Sequence, residues 1–252
     1  MMNRQRIIIN KVPYDNITTS ECIEVIKSAV ENSKYIQIVT PNIDHLAIAE
    51  NDPEFLKILQ NAELSIADGM GIIYLSRMLG KPIKENIGGR ILFMKLCRQA
   101  VESNWKLFFM GSKDRVASQA SLLLKHRFSD INIVGAISPS NHFSDDEREI
   151  SEIINIINKA QADILFVGVG TPKSEKWIYR NRSRLNVKVA LVVGHAFDLM
   201  VGKVRGAPPL LTKYGFEWLY RLIQNPQYLL PRYIVRDIPF FLRTIIKNLT
   251  TI

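Results

Sequence analysis

The chain has 252 residues, 47% of them hydrophobic and 23% charged, and a formal net charge of +9. That length and apolar content allow one substantial core and exclude a disordered chain. Its two cysteines, Cys22 and Cys97, lie far apart in helix-like stretches, which excludes a disulfide framework and a cysteine-spaced metal site.

The first ten residues hold only a short apolar run at Ile7, Ile8 and Ile9 with no small-residue cleavage pattern, so no secretory signal is expected. Nowhere do 18 apolar residues run without charge, which argues against a spanning helix. A reducing, cytoplasmic location follows as the expectation.

Apolar, β-branched runs predict strands at 35–40, 63–67, 105–110, 131–137, 163–169 and 187–193. Stretches with a 3.6-residue period predict helices between them at 19–32, 52–60, 70–79, 90–102, 115–126, 145–159 and 175–184. Strand and helix in alternation mean parallel pairing with right-handed crossovers. Residues 1–195 therefore read as a doubly wound, Rossmann-like α/β domain, with an N-terminal hairpin at 6–10.

After Gly194 the alternation stops. Residues 196–252 carry prolines at 208, 209, 226, 231 and 239, aromatic residues at 214, 216, 218, 220, 228, 233, 240 and 241, and a basic excess. From residue 201 onward eight basic residues stand against Glu217 and Asp237, a net +6. This is a helical, basic, aromatic appendage. Phe240, Phe241, Ile245 and Leu249 fall on one side of its last segment, which is expected either to cap the core or to lie on an anionic membrane surface.

In a doubly wound sheet the ligand crevice lies outside the carboxyl ends of the strands. Four loops there are chemically loaded: Thr40-Pro41-Asn42, Asp68-Gly69-Met70-Gly71, Gly111-Ser112-Lys113, and Gly168-Val169-Gly170-Thr171-Pro172-Lys173. The last precedes a helix, so its amides can face a pyrophosphate. It lacks the third glycine of a dinucleotide fingerprint, and Ala190 stands where an acid would hold a ribose. Asp68 is either the N-cap of the helix after it or a reacting carboxylate, and Thr40 and Asn42 are either a turn and cap or sugar-orienting groups. There is no Asp-x-Asp triplet, and the histidines at 45, 126, 142 and 195 show no ligand spacing, so no metal is expected. Charge on a diphosphate would fall to arginine, lysine and backbone amides.

The segments Thr40-Pro41-Asn42, Ala67-Asp68-Gly69, Gly170-Thr171-Pro172-Lys173-x-Glu175-Lys176-Trp177, Phe197-Asp198, Gly202-Lys203-Val204 and Glu217-Trp218-Leu219-Tyr220-Arg221-Leu222 resemble the WecG/TagA/CpsF glycosyltransferases. The likeness runs from about residue 7 to 236 with order and spacing kept. It implies an inverting, metal-independent enzyme, without cofactor, that moves a sugar of the N-acetylmannosamine type from a UDP-sugar donor. The implied acceptor is an undecaprenyl-diphosphate-linked sugar at the inner face of a bacterial membrane, in teichoic-acid or exopolysaccharide synthesis.

By the same resemblance Asp68 is the base, with Thr40 beside it and Arg221 completing the site over the diphosphate. Asn42, Gly69, Gly111, Gly168, Gly170, Pro172, Glu175, Arg232 and Arg236 are the substrate-binding candidates. A homo-oligomer is compatible with this reading. The chain departs from the family pattern at Asn86 and Arg90, where an arginine and an acid are usual, and at Ser174 and His195. A nicotinamide-dependent oxidoreductase is the first rival, disfavoured by the broken fingerprint. A nucleic-acid-binding module ranks last, because prolines break the basic tail and no nucleic-acid signature is present.

Overall fold

The computed structural model describes residues 4–111 and 115–249. A hairpin comes first, formed by β1 (Arg6–Ile9) and β2 (Val12–Asp15) around a turn with positive φ at Asn10 and Lys11. It is longer than the sequence predicts, because Val12 and Tyr14 are buried rather than in a loop. Asp15 anchors it: the buried carboxylate pairs with Arg4 and Arg6 and accepts from Ser65 N–H at 2.8 Å.

The main body then alternates: α1 (Thr19–Glu31), β3 (Ile36–Val39), α2 (Ile43–Ala49), α3 (Pro53–Asn61), β4 (Leu64–Ser65), α4 (Met70–Met78), α5 (Gly89–Ser103), β5 (Leu107–Gly111), α6 (Val116–Arg127), β6 (Ile133–Ile137), α7 (Glu147–Lys159), β7 (Ile164–Gly168), α8 (Lys173–Asn181), β8 (Val189–Val192) and α9 (Ala196–Met200). Starts are set by side-chain oxygens that satisfy orphan amides: Thr18 and Glu21 form a capping box on α1, Asp52 precedes Pro53 at the start of α3, and Asp146 caps α7. Helix α2, which the periodicity did not single out, is capped by Asn42.

The six strands β3 to β8 form one parallel sheet in the order β4-β3-β8-β7-β5-β6. Side chains alternate across it. Ile38, Phe109, Phe166 and Leu191 face α1, α5, α6 and α9, whereas Phe108, Met110, Leu165, Val167 and Val192 face α7 and α8. Phe93, Phe109, Phe166 and Phe197 meet edge to face or tilted, with centroids 5.0–5.7 Å apart, and lock α5 and α9 onto the strands. Burial on both faces explains why these strands read as continuous apolar runs.

The described residues after α9 and a loop at 201–208 form helices: α10 (Pro209–Lys213), α11 (Glu217–Gln224), α12 (Pro226–Pro231), a π-helical stretch (Arg232–Asp237) and α13 (Ile238–Leu249). Pro231 and Pro239 lack amide donors, so a regular i→i−4 ladder cannot run unbroken through the stretch between them. Helix α13 has two working sides. Phe240 is fully buried and joins Leu46, Phe55 and Ile72 in a third core, with Phe241 and Ile245 against it. Leu242 and Ile246 point outward, continuing an exposed apolar series with Ile223, Tyr228, Ile234, Val235 and Ile238. Among the described residues no helix is long and apolar enough to cross a membrane.

Candidate active site

Asp68 sits just past β4, where its amide donates to Pro41 O at 3.3 Å and so sets it beside the loop that follows β3. It does not cap α4. That position belongs to Gly69, whose φ of 86° is accessible to glycine and strained for other residues, and no side chain bonds the helix start. The ordinary structural role for Asp68 is therefore absent.

A second loop holds the carboxylate from the other side. Glu85 accepts from both the amide and the hydroxyl of Thr19, and Asn86 Oδ1 accepts from Gly69 N–H at 2.8 Å. Gly88 then passes so close that a Cβ there would meet Asp68 Oδ1 at 2.6 Å. A Cβ on Gly89 would stand 3.4 Å from Oγ1 of the buried Thr40. The start of α5 thus packs against Asp68 and Thr40 together.

Burial raises the Asp68 carboxyl above the usual carboxylate range, and the charges of Arg221, His45 and Arg90 oppose that rise while Glu217 adds to it. Arg221 comes from α11 and is held by Glu217 at 2.7 Å, four residues earlier in the helix. The same Arg221 charge acts on His195, whose imidazole is pushed below its ordinary value first by burial and then by Arg221.

His195 belongs to a cleft of ≈ 650 Å³ at the carboxyl ends of β6, β7 and β8, lined also by Gly168, Gly170, Lys173, Asp198 and Lys203. Lys173 reaches across its rim, with Nζ donating to Asn141 O at 2.8 Å and lying 5.7 Å from the Phe143 ring centroid. This space is of a size for a nucleotide diphosphate, with positively charged lysine side chains and the start of α8 at its edge.

The remaining candidates fall into groups. Gly168 and Gly170 line the cleft, whereas Gly111 lies beside Gly168 on the neighbouring strand, where a Cβ would come within 2.5 Å of the Gly168 backbone oxygen. Ser112 and Lys113 lie outside the described residues. Pro172 follows a cis peptide and lines a smaller pocket of ≈ 280 Å³ with Trp177 and Arg180.

Glu175 is 1% exposed, and its Oε1 accepts from Thr171 Oγ1 at 3.0 Å and lies 3.0 Å from His45 Nε2. His45 Nδ1 in turn lies 2.8 Å from Asn42 Oδ1, which also accepts from His45 N–H. Asn42 and Glu175 are thus joined into one chain of contacts tying the loop after β3 to the loop after β7. Ser174 accepts from Val169 N–H at 3.1 Å within the same turn.

Arg232 and Arg236 of the π-helical stretch meet two carboxylates: Arg232 pairs with Asp44 at 3.2 Å and Asp237 at 3.1 Å, and Arg236 contacts both as well. They pin the appendage to α2, one residue from His45. Sequence reasoning missed Gly88 and recorded Arg90 only as a departure. Arg90 pairs with Glu217 at 3.6 Å across the join between core and appendage, a proximity with no local signature in the sequence. Among the described residues no three His, Cys, Asp or Glu side chains converge as a metal-binding group.

The profile of the Glycosyl transferase WecG/TagA/CpsF family matches residues 7–252. A protein of Bacillus spizizenii named N-acetylglucosaminyldiphosphoundecaprenol N-acetyl-beta-D-mannosaminyltransferase is 30% identical over 219 residues, covering 86% of this chain and 83% of that one. A Staphylococcus aureus protein of the same name is 27% identical over 223 residues, covering 88% and 85% of the two chains.

Proposed function

We propose, from the premise that this chain belongs to the WecG/TagA/CpsF family and is a glycosyltransferase, that it carries an N-acetylmannosamine-type sugar from UDP to a lipid-linked diphosphate sugar. The named activity of the two relatives supports the choice of donor sugar and of an N-acetylglucosaminyl-diphosphate-undecaprenol acceptor. The observation that carries the reading is the meeting of core and appendage beside Asp68: Glu217 pairs with Arg221 of α11 at 2.7 Å and with Arg90 of α5 at 3.6 Å, two residues after the Gly88 that packs on Asp68.

Chemistry follows from that arrangement. UDP seats in the cleft with its diphosphate toward Arg221, and the acceptor hydroxyl approaches Asp68. The carboxylate takes the hydroxyl proton as the oxygen bonds to the anomeric carbon, and the bond from that carbon to the diphosphate oxygen breaks, its electron pair leaving with UDP. One displacement inverts the anomeric centre. A carboxyl raised by burial is a stronger base when ionised, which suits proton removal near neutral pH, and Arg221 meets the charge growing on the leaving group. Thr40 and Asn42 orient a sugar. Cationic side chains fill the role a metal has elsewhere, so the reaction is metal-independent in this reading.

Residues 1–195 supply the catalytic domain, and 196–252 complete the site and rest on the inner face of the membrane. Exposed Ile223, Tyr228 and Val235, among basic residues, support that placement. The test is incubation of the full chain with a panel of UDP-sugars and a short-chain N-acetylglucosamine-diphosphate lipid, with product read by mass. Transfer from UDP-N-acetylmannosamine that survives chelator is expected. Transfer restored only by added divalent metal would overturn metal independence, and no transfer from any UDP-sugar would overturn the reading.

A further inference from the structure

Arg90 and Arg221 pair with one carboxylate, each at a different oxygen. Arg90 Nη2 lies 3.6 Å from Glu217 Oε2, and Arg221 Nη2 lies 2.7 Å from Glu217 Oε1. One arginine comes from the first turn of α5 and the other from α11, so Glu217 bridges core and appendage. Both guanidinium groups stay accessible, with side chains 33% and 40% exposed.

Position ties Arg90 to the reaction. It directly follows Gly88 and Gly89, which pack on Asp68 and Thr40. Its Nη1 would lie 3.4 Å from a Cβ on Gly206, in the loop just after the cleft residues Lys203 and Val204. Arg90 therefore lies close both to the segment packed on the base and to the loop that borders the cleft.

Charge accounting then separates this group from its neighbour. Arg232 and Arg236 face two carboxylates, Asp44 and Asp237, and that cluster is balanced. Among the described residues Arg90 and Arg221 pair with the single carboxylate of Glu217, and the other carboxylate their charges act on, Asp68, is the one that becomes neutral when it takes the acceptor proton. An exposed ion pair adds little to stability, so holding the fold is a poor account of two arginines on one acid. A diphosphate, with paired oxygens matching the guanidinium fork, is the better third partner.

We propose that Arg90 is a second diphosphate-binding residue, closing with Arg221 on the phosphates while Glu217 holds the two guanidinium groups in register. The inference rests on the transferase reading above and names who holds the diphosphate. As Asp68 gains its proton the pair of arginines is left with one carboxylate, and the surplus positive charge appears as the leaving diphosphate becomes more negative.

The diphosphate belongs either to UDP or to the lipid-linked acceptor, and binding separates the two without requiring transfer. The full-length chain and its Arg90→Gln variant are titrated calorimetrically with UDP and, separately, with a short-chain N-acetylglucosamine-diphosphate lipid. About a tenfold or greater loss of affinity is expected for the probe whose phosphates Arg90 holds, the scale of one charge-assisted hydrogen bond. Loss for UDP alone assigns the donor, loss for the lipid alone assigns the acceptor, and loss for both assigns a shared clamp.

Arg90→Lys keeps stem and charge without the fork and is expected to fall between wild type and Arg90→Gln. It is the variant to measure should Arg90→Gln melt early. Full wild-type affinity for both probes in a folded variant overturns the role of Arg90 and leaves the transferase reading standing. Wild-type protein that binds neither probe sinks the transferase reading itself.

Discussion

The α-carbon of Gly88 stands so near Asp68 that a methyl group on it would meet Oδ1 at 2.6 Å. Two segments twenty residues apart are thereby pressed together at the carboxylate proposed as the base. Gly88→Ala is expected to fold, because Gly88 has an ordinary extended backbone at the start of α5, but to push the carboxylate from its seat. Turnover should fall at least about tenfold, as for a small misplacement of a catalytic group, with the melting temperature little changed. A variant with wild-type turnover would show that the carboxylate moves freely.

Asp68→Asn should lose roughly 10²–10⁴-fold in turnover while keeping UDP affinity. It should also raise the melting temperature near neutral pH. The sign follows from linkage: a carboxyl raised in the folded state binds protons more tightly there than in the unfolded chain. Stability then falls as pH rises from the unfolded value through the folded one, and the cost is in full force above the folded value. Asparagine removes that cost. A lower melting temperature would contradict the burial argument.

Arg221→Ala removes the largest influence that lowers the Asp68 carboxyl, so that carboxyl should rise further. The acid limb of the kcat/KM profile should move to higher pH than in the wild type. An unmoved limb, with turnover reduced, would restrict Arg221 to the leaving group.

Glu175→Ala takes the carboxylate from both the buried His45 Nε2 and Thr171 Oγ1, leaving the two with their mutual contact at 3.3 Å. A loss of about 1–3 kcal/mol in denaturant unfolding is expected, the usual cost of an unsatisfied buried polar group. KM for the donor should rise, because the loops after β3 and β7 lose their tie. Stability loss with an unchanged KM would make the network purely structural.

The appendage separates into inner and outer substitutions. Phe240→Ala empties a fully buried site and should cost about 3–5 kcal/mol. Ile223→Glu with Val235→Glu changes exposed positions and should leave melting unaltered while reducing sedimentation with anionic vesicles. Equal vesicle binding by that double variant would remove the outer apolar series from the membrane contact.

Much of this was legible in the chain because parallel strands buried on both faces must be apolar, and the six runs rich in Ile, Val, Leu and Phe stand out between amphipathic helices. Site residues were legible where they sit in compact motifs, as Thr40 and Asp68 do. Their surroundings were not. Asp68 read as a plausible helix cap until Gly69 occupied that position with φ 86°. Glu175 read as facing substrate until its side chain proved buried against His45, 130 residues away in sequence. The two roles of α13 share one apolar pattern, and only the fold separates the Phe240 side from the Ile246 side.

The pairing of β3 with β8, register Ile36↔Val189, joins the first and last strands of the parallel sheet at its centre. A contact between segments so distant in sequence closes a very large loop, and topologies of this kind assemble slowly. The loops after β3 and β8 bear Thr40 and the cleft residue His195, so the two parts of the proposed site have no common rigid floor until that late pairing is made. Refolding followed by UDP binding should therefore recover in step with the final cooperative phase, not with the earlier gain of helix.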